Sequence, residues 1–407
     1  MRQRLEEEFV IKENRVLRFG YTTGTCAAAA AKAAVTMLFS QSEAAEVTLT
    51  VPKGYTLTLK TLEVSMDETS ASCAIQKDGG DDPDVTHGLL VYARAEHCSR
   101  DQALELCRTF GPQAEPVLTD DQAVVGITGG VGVGTITLPG LEQAIGAPAI
   151  NVTPRAMITR EVQEVCQSFG YTGGICITVS APDAVELADK TFNPRLGIQG
   201  GISILGTSGI VEPMSEQALI RTIEVEMKHK FANMGDYLLV TPGNYGTHYL
   251  KDHFPFGPED AVKCSNFVGQ TIDLAVNLGV KGILFVAHIG KFIKVAGGIM
   301  NTHSRDADSR MELLAVCALR AGADREIVLQ ILDAVTTDEG LKVLQEAGFL
   351  EAAMELMMEK IHFYLNHRGQ QRIRIGAIVF SNVYGELGRT SEADALMEAL
   401  LNQTKGV

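Results

Sequence analysis

The sequence predicts a two-domain α/β protein: a mixed α+β half followed by a half built of parallel βαβ units. Three observations predict it. The chain has 407 residues, more than one small hydrophobic core organises. It is 45% hydrophobic and 21% charged, the balance of a folded globular chain rather than a disordered one. Its first half mixes short strand-like runs with helical stretches, whereas its second half alternates apolar strands with longer helices. The boundary is expected at 191–197, giving domains 1–195 and 196–407.

In chain order, 20–24 reads as a turn and 27–39 as an alanine-rich helix, whose small side chains suit close packing on a sheet. Strands are expected at 47–50, 57–64, 89–94, 124–128 and 175–179, with a helix over 159–170. The acidic loop 78–84 lacks the EF-hand spacing and its closing Glu, and reads as a solvated turn. After the boundary come a strand at 202–205, a helix at 215–231, a strand at 237–241 and a helix within 258–278. A strand at 283–287, three helices over 309–366 and a strand at 374–380 complete the pattern. His248 and His253 match no metal motif and read as loop residues.

Composition excludes several classes of function. With 35 basic against 50 acidic residues the net charge is −15, which disfavours general nucleic-acid binding. No apolar run approaches the ~20 residues of a membrane span. Residues 1–8 carry three consecutive glutamates rather than a signal-peptide pattern, so a cytoplasmic protein is expected. None of the 8 cysteines has CxxC spacing, which disfavours structural zinc. Buried thiols are expected instead.

Glycine, at 40 residues, is clustered. Gly20-Tyr21-Thr22-Thr23-Gly24-Thr25 leads into the alanine helix, where threonines cap and free N–H groups attract anions. Gly129-Gly130-Val131-Gly132-Val133-Gly134 follows a strand and reads equally as a ligand loop or a β-turn. Gly206-Thr207-Ser208-Gly209 follows the 202–205 strand, the place where α/β domains hold nucleoside-bearing cofactors. Neither the dinucleotide fingerprint nor a Walker phosphate loop is present, and no acid follows the strand ending at Thr241. Acids are missing from 143–160, 190–211 and 274–305, while Arg155, Arg160, Lys190, Arg195, Lys281, Lys291, Lys294 and Arg305 lie there. In so acidic a chain this pattern predicts a local positive pocket for a small polyanion. His288, at a strand end beside Lys291, and His303 complete its expected wall.

These motifs resemble the cobalt-precorrin-5B C1-methyltransferase family of anaerobic cobalamin biosynthesis. The resemblance is carried by Gly20 through Ala29, Gly130 to Thr135, Ile150-Asn151 with Pro154 to Ile158, Thr191 to Ile198, Gly200 to Val211, His288 to Lys291, and Ala296 to Gly298 with Thr302-His303. It implies an α+β N-terminal domain and a Rossmann-like C-terminal domain. It also implies methyl transfer from S-adenosylmethionine to ring carbon C1 of a cobalt corrinoid, giving cobalt-precorrin-6A. Cobalt then arrives inside the substrate, and no dedicated protein metal site is expected.

For such a reaction the protein aligns carbon, methyl and sulfur and excludes water. Arg155, Arg195, Lys291 and Lys294 are the candidates for the substrate's carboxylates, with Thr22, Thr23 and Thr25 as further donors. Gly206, Thr207, Ser208, Gly209 and Asn244 are the cofactor candidates, with the Gly129 to Gly134 loop as the alternative cradle. His288 or His303 is the candidate for proton handling. The partner is thus a small molecule, with neither nucleic acid nor membrane involved. Two other readings remain: a small-molecule kinase using Gly129 to Gly134 as its phosphate loop, and a corrinoid-binding protein without catalysis.

Overall fold

The computed structural model describes residues 9–404 apart from 13, 115–118 and 120. The protein is a mixed α/β chain of two compact units, Met1–Ser215 and Glu216–Val407. No helix among the described residues is long and apolar enough to cross a membrane.

The first unit is built around helix α1 (Thr23–Ser40), which the Thr22 hydroxyl caps by accepting from the Thr25 amide. Ala27 to Ala31, Ala33 and Ala34 are completely buried. With only a methyl group at each position, α1 lies close against its neighbours. A five-stranded sheet supplies one of them: β1 (Leu62–Met66), β2 (Ser70–Gln76), β3 (Leu90–Cys98), β4 (Val124–Gly129) and β5 (Gly174–Ser180), in spatial order β1-β2-β3-β5-β4. Only the β5–β4 pairing is parallel. Helix α2 (Val152–Ser168) packs along α1, and α1 packs on β2 and β3. Between the helices Lys32 meets the buried Glu161 at 2.6 Å.

Several expectations change here. The run 57–64 is two strands of two sheets, because the Thr61 amide and hydroxyl turn the chain onto the Ala45 and Ala44 carbonyls. Helix α2 starts at Val152, ahead of 159; Pro154 is tolerated in its first turn, where amides have no intrahelical partner. Strand β2 was not expected at all. The segment expected to open the second domain belongs to the first unit. Gly201–Ile202 pairs in parallel with Gly132–Val133, and Ile210–Val211 pairs with Gly20–Tyr21. The first unit therefore extends to Ser215 rather than ending at 195.

The second unit opens with α3 (Glu216–Met234), then β6 (Tyr237–Thr241), α4 (Asn244–His253), β7 (Ala261–Lys263), α5 (Val268–Leu278) and β8 (Gly282–His288). Where three helices were expected over 309–366 there are four, Arg310–Arg320, Arg325–Asp333, Thr337–Glu346 and α6 (Leu350–Gly369). Thr336 opens the third of them through a capping box with Glu339. Then come β9 (Arg374–Ser381), β10 (Gly385–Arg389) and α7 (Ala393–Thr404). His248 and His253 lie on α4, not in a loop.

The sheet order is β7-β6-β8-β9-β10, parallel except for β10. Along β8, Ile283, Phe285 and Ala287 join one apolar cluster, and Leu284 and Val286 join another. A parallel strand covered on both faces needs such an unbroken apolar run. Because β7 lies on one side of β6 and β8 on the other, the strand order reverses there. In open parallel sheets ligands bind at the carboxyl ends of strands at such a switch point.

Candidate functional site

Three consecutive strand ends meet at that edge of the second unit. Strand β6 ends at Thr241 and turns through Gly243, whose φ of 98° favours glycine, into α4. The first turn of α4 carries no acidic residue and no side-chain cap. Its amide end is thus open to an anion. After β7 the chain passes Cys264 and Asn266; after β8 it turns at His288 into Ile289–Phe292 and Ile293–Gly297.

Two lysines stand in this edge without an ion-pair partner among the described residues. Lys291 Nζ donates to Asn266 Oδ1 at 2.8 Å and would lie 3.7 Å from a Cβ at Gly243. Lys294 is 2% exposed, and its Nζ donates to the Thr302 carbonyl at 3.1 Å. Asn266 joins the two, since its carbonyl accepts from the Thr302 amide at 2.9 Å. Burial lowers both lysine pKa values; for Lys294 the charge of Asp308 opposes the shift. The Thr241 and Thr302 hydroxyls are buried with no hydrogen-bond partner. Unpaired ammonium groups and orphaned hydroxyls are both costly in an interior. Together they make an edge complementary to an anionic ligand that also offers hydrogen bonds.

His288 is half-buried between Tyr245, at 5.3 Å, and Phe380, at 5.5 Å. Burial lowers its pKa, favouring the neutral ring, and the charge of Asp338 pulls the other way. Its Nδ1 accepts from the Gly290 amide at 3.1 Å; His303 Nδ1 accepts from the Arg305 amide at 3.1 Å. A neutral ring that accepts at Nδ1 carries its proton on Nε2. Both histidines therefore present a donor, and acting as a base would cost each its amide bond. Cys264 is no nucleophile, because burial pushes its thiol up to about 12. None of the eight cysteines is in a disulfide.

Of the residues expected from sequence, the second unit holds Asn244, His288, Lys291, Lys294 and His303 around these strand ends. Asn244 is exposed at the start of α4. Lys281 and Arg305 are instead neutralised by Asp236 and Glu216. Thr241, Asn266 and Thr302 were missed as site residues. The signal available for Thr241 was the bare Thr241-Pro242-Gly243-Asn244 turn and for Thr302 the acid-free run ending at Arg305; Asn266 had none.

The remaining expected residues lie in the first unit, where the two glycine–threonine motifs close on each other. Thr25 Oγ1 donates to the Gly209 carbonyl at 2.7 Å, Thr23 Oγ1 accepts from the Leu205 amide at 3.0 Å, and the Gly24 amide donates to the Leu205 carbonyl at 2.9 Å. Any Cβ at Gly206 would run into Thr22. Ser208 Oγ turns back on Ile210, and Thr207 is exposed. Gly206 to Gly209 are thus not a strand-to-helix turn of the parallel sheet. The Gly129 to Gly134 loop is likewise filled by chain: the Gly130 and Gly134 amides donate to Val179 and Ile202, and a Cβ at Gly132 would strike the Ala181 carbonyl. Arg195 is exposed beside Phe192, and Arg155 lies over Phe110.

The fold and the edge define a mixed α/β protein with two lysines free of ion pairs, among the described residues, at the switch point of a parallel sheet. The family model described as CbiD matches residues 10–213, and the one described as CbiD, C-terminal domain, matches 301–391. A cobalt-precorrin-5B C(1)-methyltransferase of Ruminiclostridium cellulolyticum is 44% identical over 94% of this chain and 93% of the relative. Another of the same name, from Alkaliphilus metalliredigens, is 42% identical over 98% of each. A crystal structure titled as a cobalamin biosynthesis protein (cbiD) of Archaeoglobus fulgidus is 24% identical, with a TM-score of 0.35, over 84% of this chain and 89% of that one. The chain belongs to the CbiD family.

Proposed function

We propose that this chain methylates cobalt-precorrin-5B at ring carbon C1 in the cytoplasm, taking the methyl group from S-adenosylmethionine and giving cobalt-precorrin-6A. The printed names of the relatives support the substrate and the position. The observation that carries the site is the pair Lys291 and Lys294, unpaired at the carboxyl edge of a parallel sheet. The second unit acts as a Rossmann-like donor domain. Lys291 and the amide end of α4 hold the donor's amino-acid carboxylate, and Asn244 hydrogen-bonds to its polar groups.

The donor supplies an electrophilic sulfonium methyl. No covalent nucleophile is required of the protein, and the buried Cys264 thiol is too weak an acid to serve as one. The chain's own task is to bind, orient and keep water out. Lys294 keeps the edge positive, and His288 and His303 donate through Nε2 to ligand oxygens. Arg195 reaches a carboxylate of the substrate's rim. Thr22, Thr23 and Thr25 shape the first unit, since their hydroxyls are already engaged.

Anaerobic incubation with cobalt-precorrin-5B and methyl-labelled S-adenosylmethionine tests this reading. A tetrapyrrole heavier by one labelled methyl is expected. Tight corrinoid binding with no mass gain would identify a carrier instead. Calorimetric binding of ATP but not of S-adenosylmethionine would restore the kinase reading, against which the engaged amides of the Gly129 to Gly134 loop stand.

A further inference from the structure

Helix α2 places Arg155, expected from sequence to meet a substrate carboxylate, at a cavity of the first unit. The helix start is fixed, because Pro154 packs where a Cβ at Gly24 would come within 2.6 Å of its Cγ. From there the Arg155 guanidinium lies over the Phe110 ring, 4.3 Å from its centroid. Its Nε is buried and has no hydrogen-bond partner. The carboxylate that most favours its charge is Glu142, which is exposed and forms no ion pair with it among the described residues. Five residues further along α2, Arg160 is paired with Glu161 at 2.7 Å.

Beside Arg155 is a cavity of about 70 Å³ lined by Cys107, Val125, Ile127, Thr159 and Gln163. That is room for several water molecules, and so for a carboxylate carried on one or two methylenes. The walls divide accordingly. Val125 and Ile127 suit methylenes, and among the described residues the guanidinium is the one charged group lining the cavity. A guanidinium cannot shed its proton to escape burial, so an unpaired one costs stability. Its planar fork matches a carboxylate better than any other side chain does.

We infer that this cavity is a subsite for an aliphatic carboxylate of acetate or propionate length, gripped by Arg155. The inference rests on the proposed function only in the source of that carboxylate, a side arm of the corrinoid substrate. A free small carboxylate offers the same chemistry, and the experiment separates the two.

The full-length protein is titrated with a cobalt corrinoid whose arms are free carboxylates and with its fully amidated counterpart. [13C]Propionate binding is followed in parallel by NMR. Wild type is expected to prefer the carboxylate form about tenfold or more, and to shift the propionate signal at millimolar concentration. Arg155→Met should abolish both effects without lowering the thermal midpoint, and Arg155→Lys should keep part of them. Thr159→Met, which fills the cavity and leaves the guanidinium in place, should abolish them too. Propionate binding that needs Arg155, with no carboxylate preference between the corrinoids, would mean a free small carboxylate as ligand and no substrate arm. Unchanged binding in both Met variants overturns the subsite. So does a lower midpoint for Arg155→Met with binding intact, because Arg155 would then be structural.

Discussion

Lys294 is a buried charge whose cost to stability a bound anion would offset. Its ammonium is buried, donates to one carbonyl and forms no ion pair among the described residues, which burial alone would punish. Lys294→Met removes that charge and keeps the volume of the stem. The variant should unfold at the same denaturant concentration as wild type or a higher one, while its affinity for S-adenosylmethionine falls about tenfold or more. A loss of stability with affinity intact would make Lys294 a structural group. Lys291, Lys294 and His288 were legible in the sequence because a run without acids stands out in so acidic a chain. Thr241, Asn266 and Thr302 were not. Each is an isolated polar residue, and what brings it to the candidate site is a contact with residues far along the chain.

At the scale of elements, the parallel strands of the second unit were readable because strands buried on both faces leave unbroken apolar runs. The first unit hid more. Its glycine motifs look alike whether glycine makes space for a ligand or for the chain itself, and only the fold separates the two. Gly132 has a φ of 81°, and a Cβ there would meet the Ala181 backbone. Gly132→Ala should therefore cost about 3 kcal/mol or prevent folding, as read by denaturant titration, because backbone cannot move aside as a flexible side chain can. A ligand-cradling glycine would behave differently: the variant would fold normally and lose only binding. The short strand at 202–205 misled for the same reason, since its partner, Gly132–Val133, is remote in sequence.

For the whole molecule, each unit has its own apolar core, which makes two unfolding transitions the expectation rather than one. A ligand stabilises only the state that binds it, by about 2.7 kcal/mol at a hundredfold excess over its dissociation constant. If the donor sits at the carboxyl edge of β6, β7 and β8, S-adenosylmethionine should raise the transition of 216–407 and leave that of the first unit nearly unmoved. Hydrogen exchange assigns the effect to residues. Amides at 241–246, 264–266 and 288–294 should slow when the donor is added, and those at 129–134 and 206–209 should not. The Gly130, Val133 and Gly134 amides already have partners within the first unit, and Gly206 is packed against Thr22, so a ligand has little to gain there. Protection at those glycine segments, with the strand ends of the second unit unchanged, would move the donor into the first unit and leave Lys291 and Lys294 to the substrate's carboxylates.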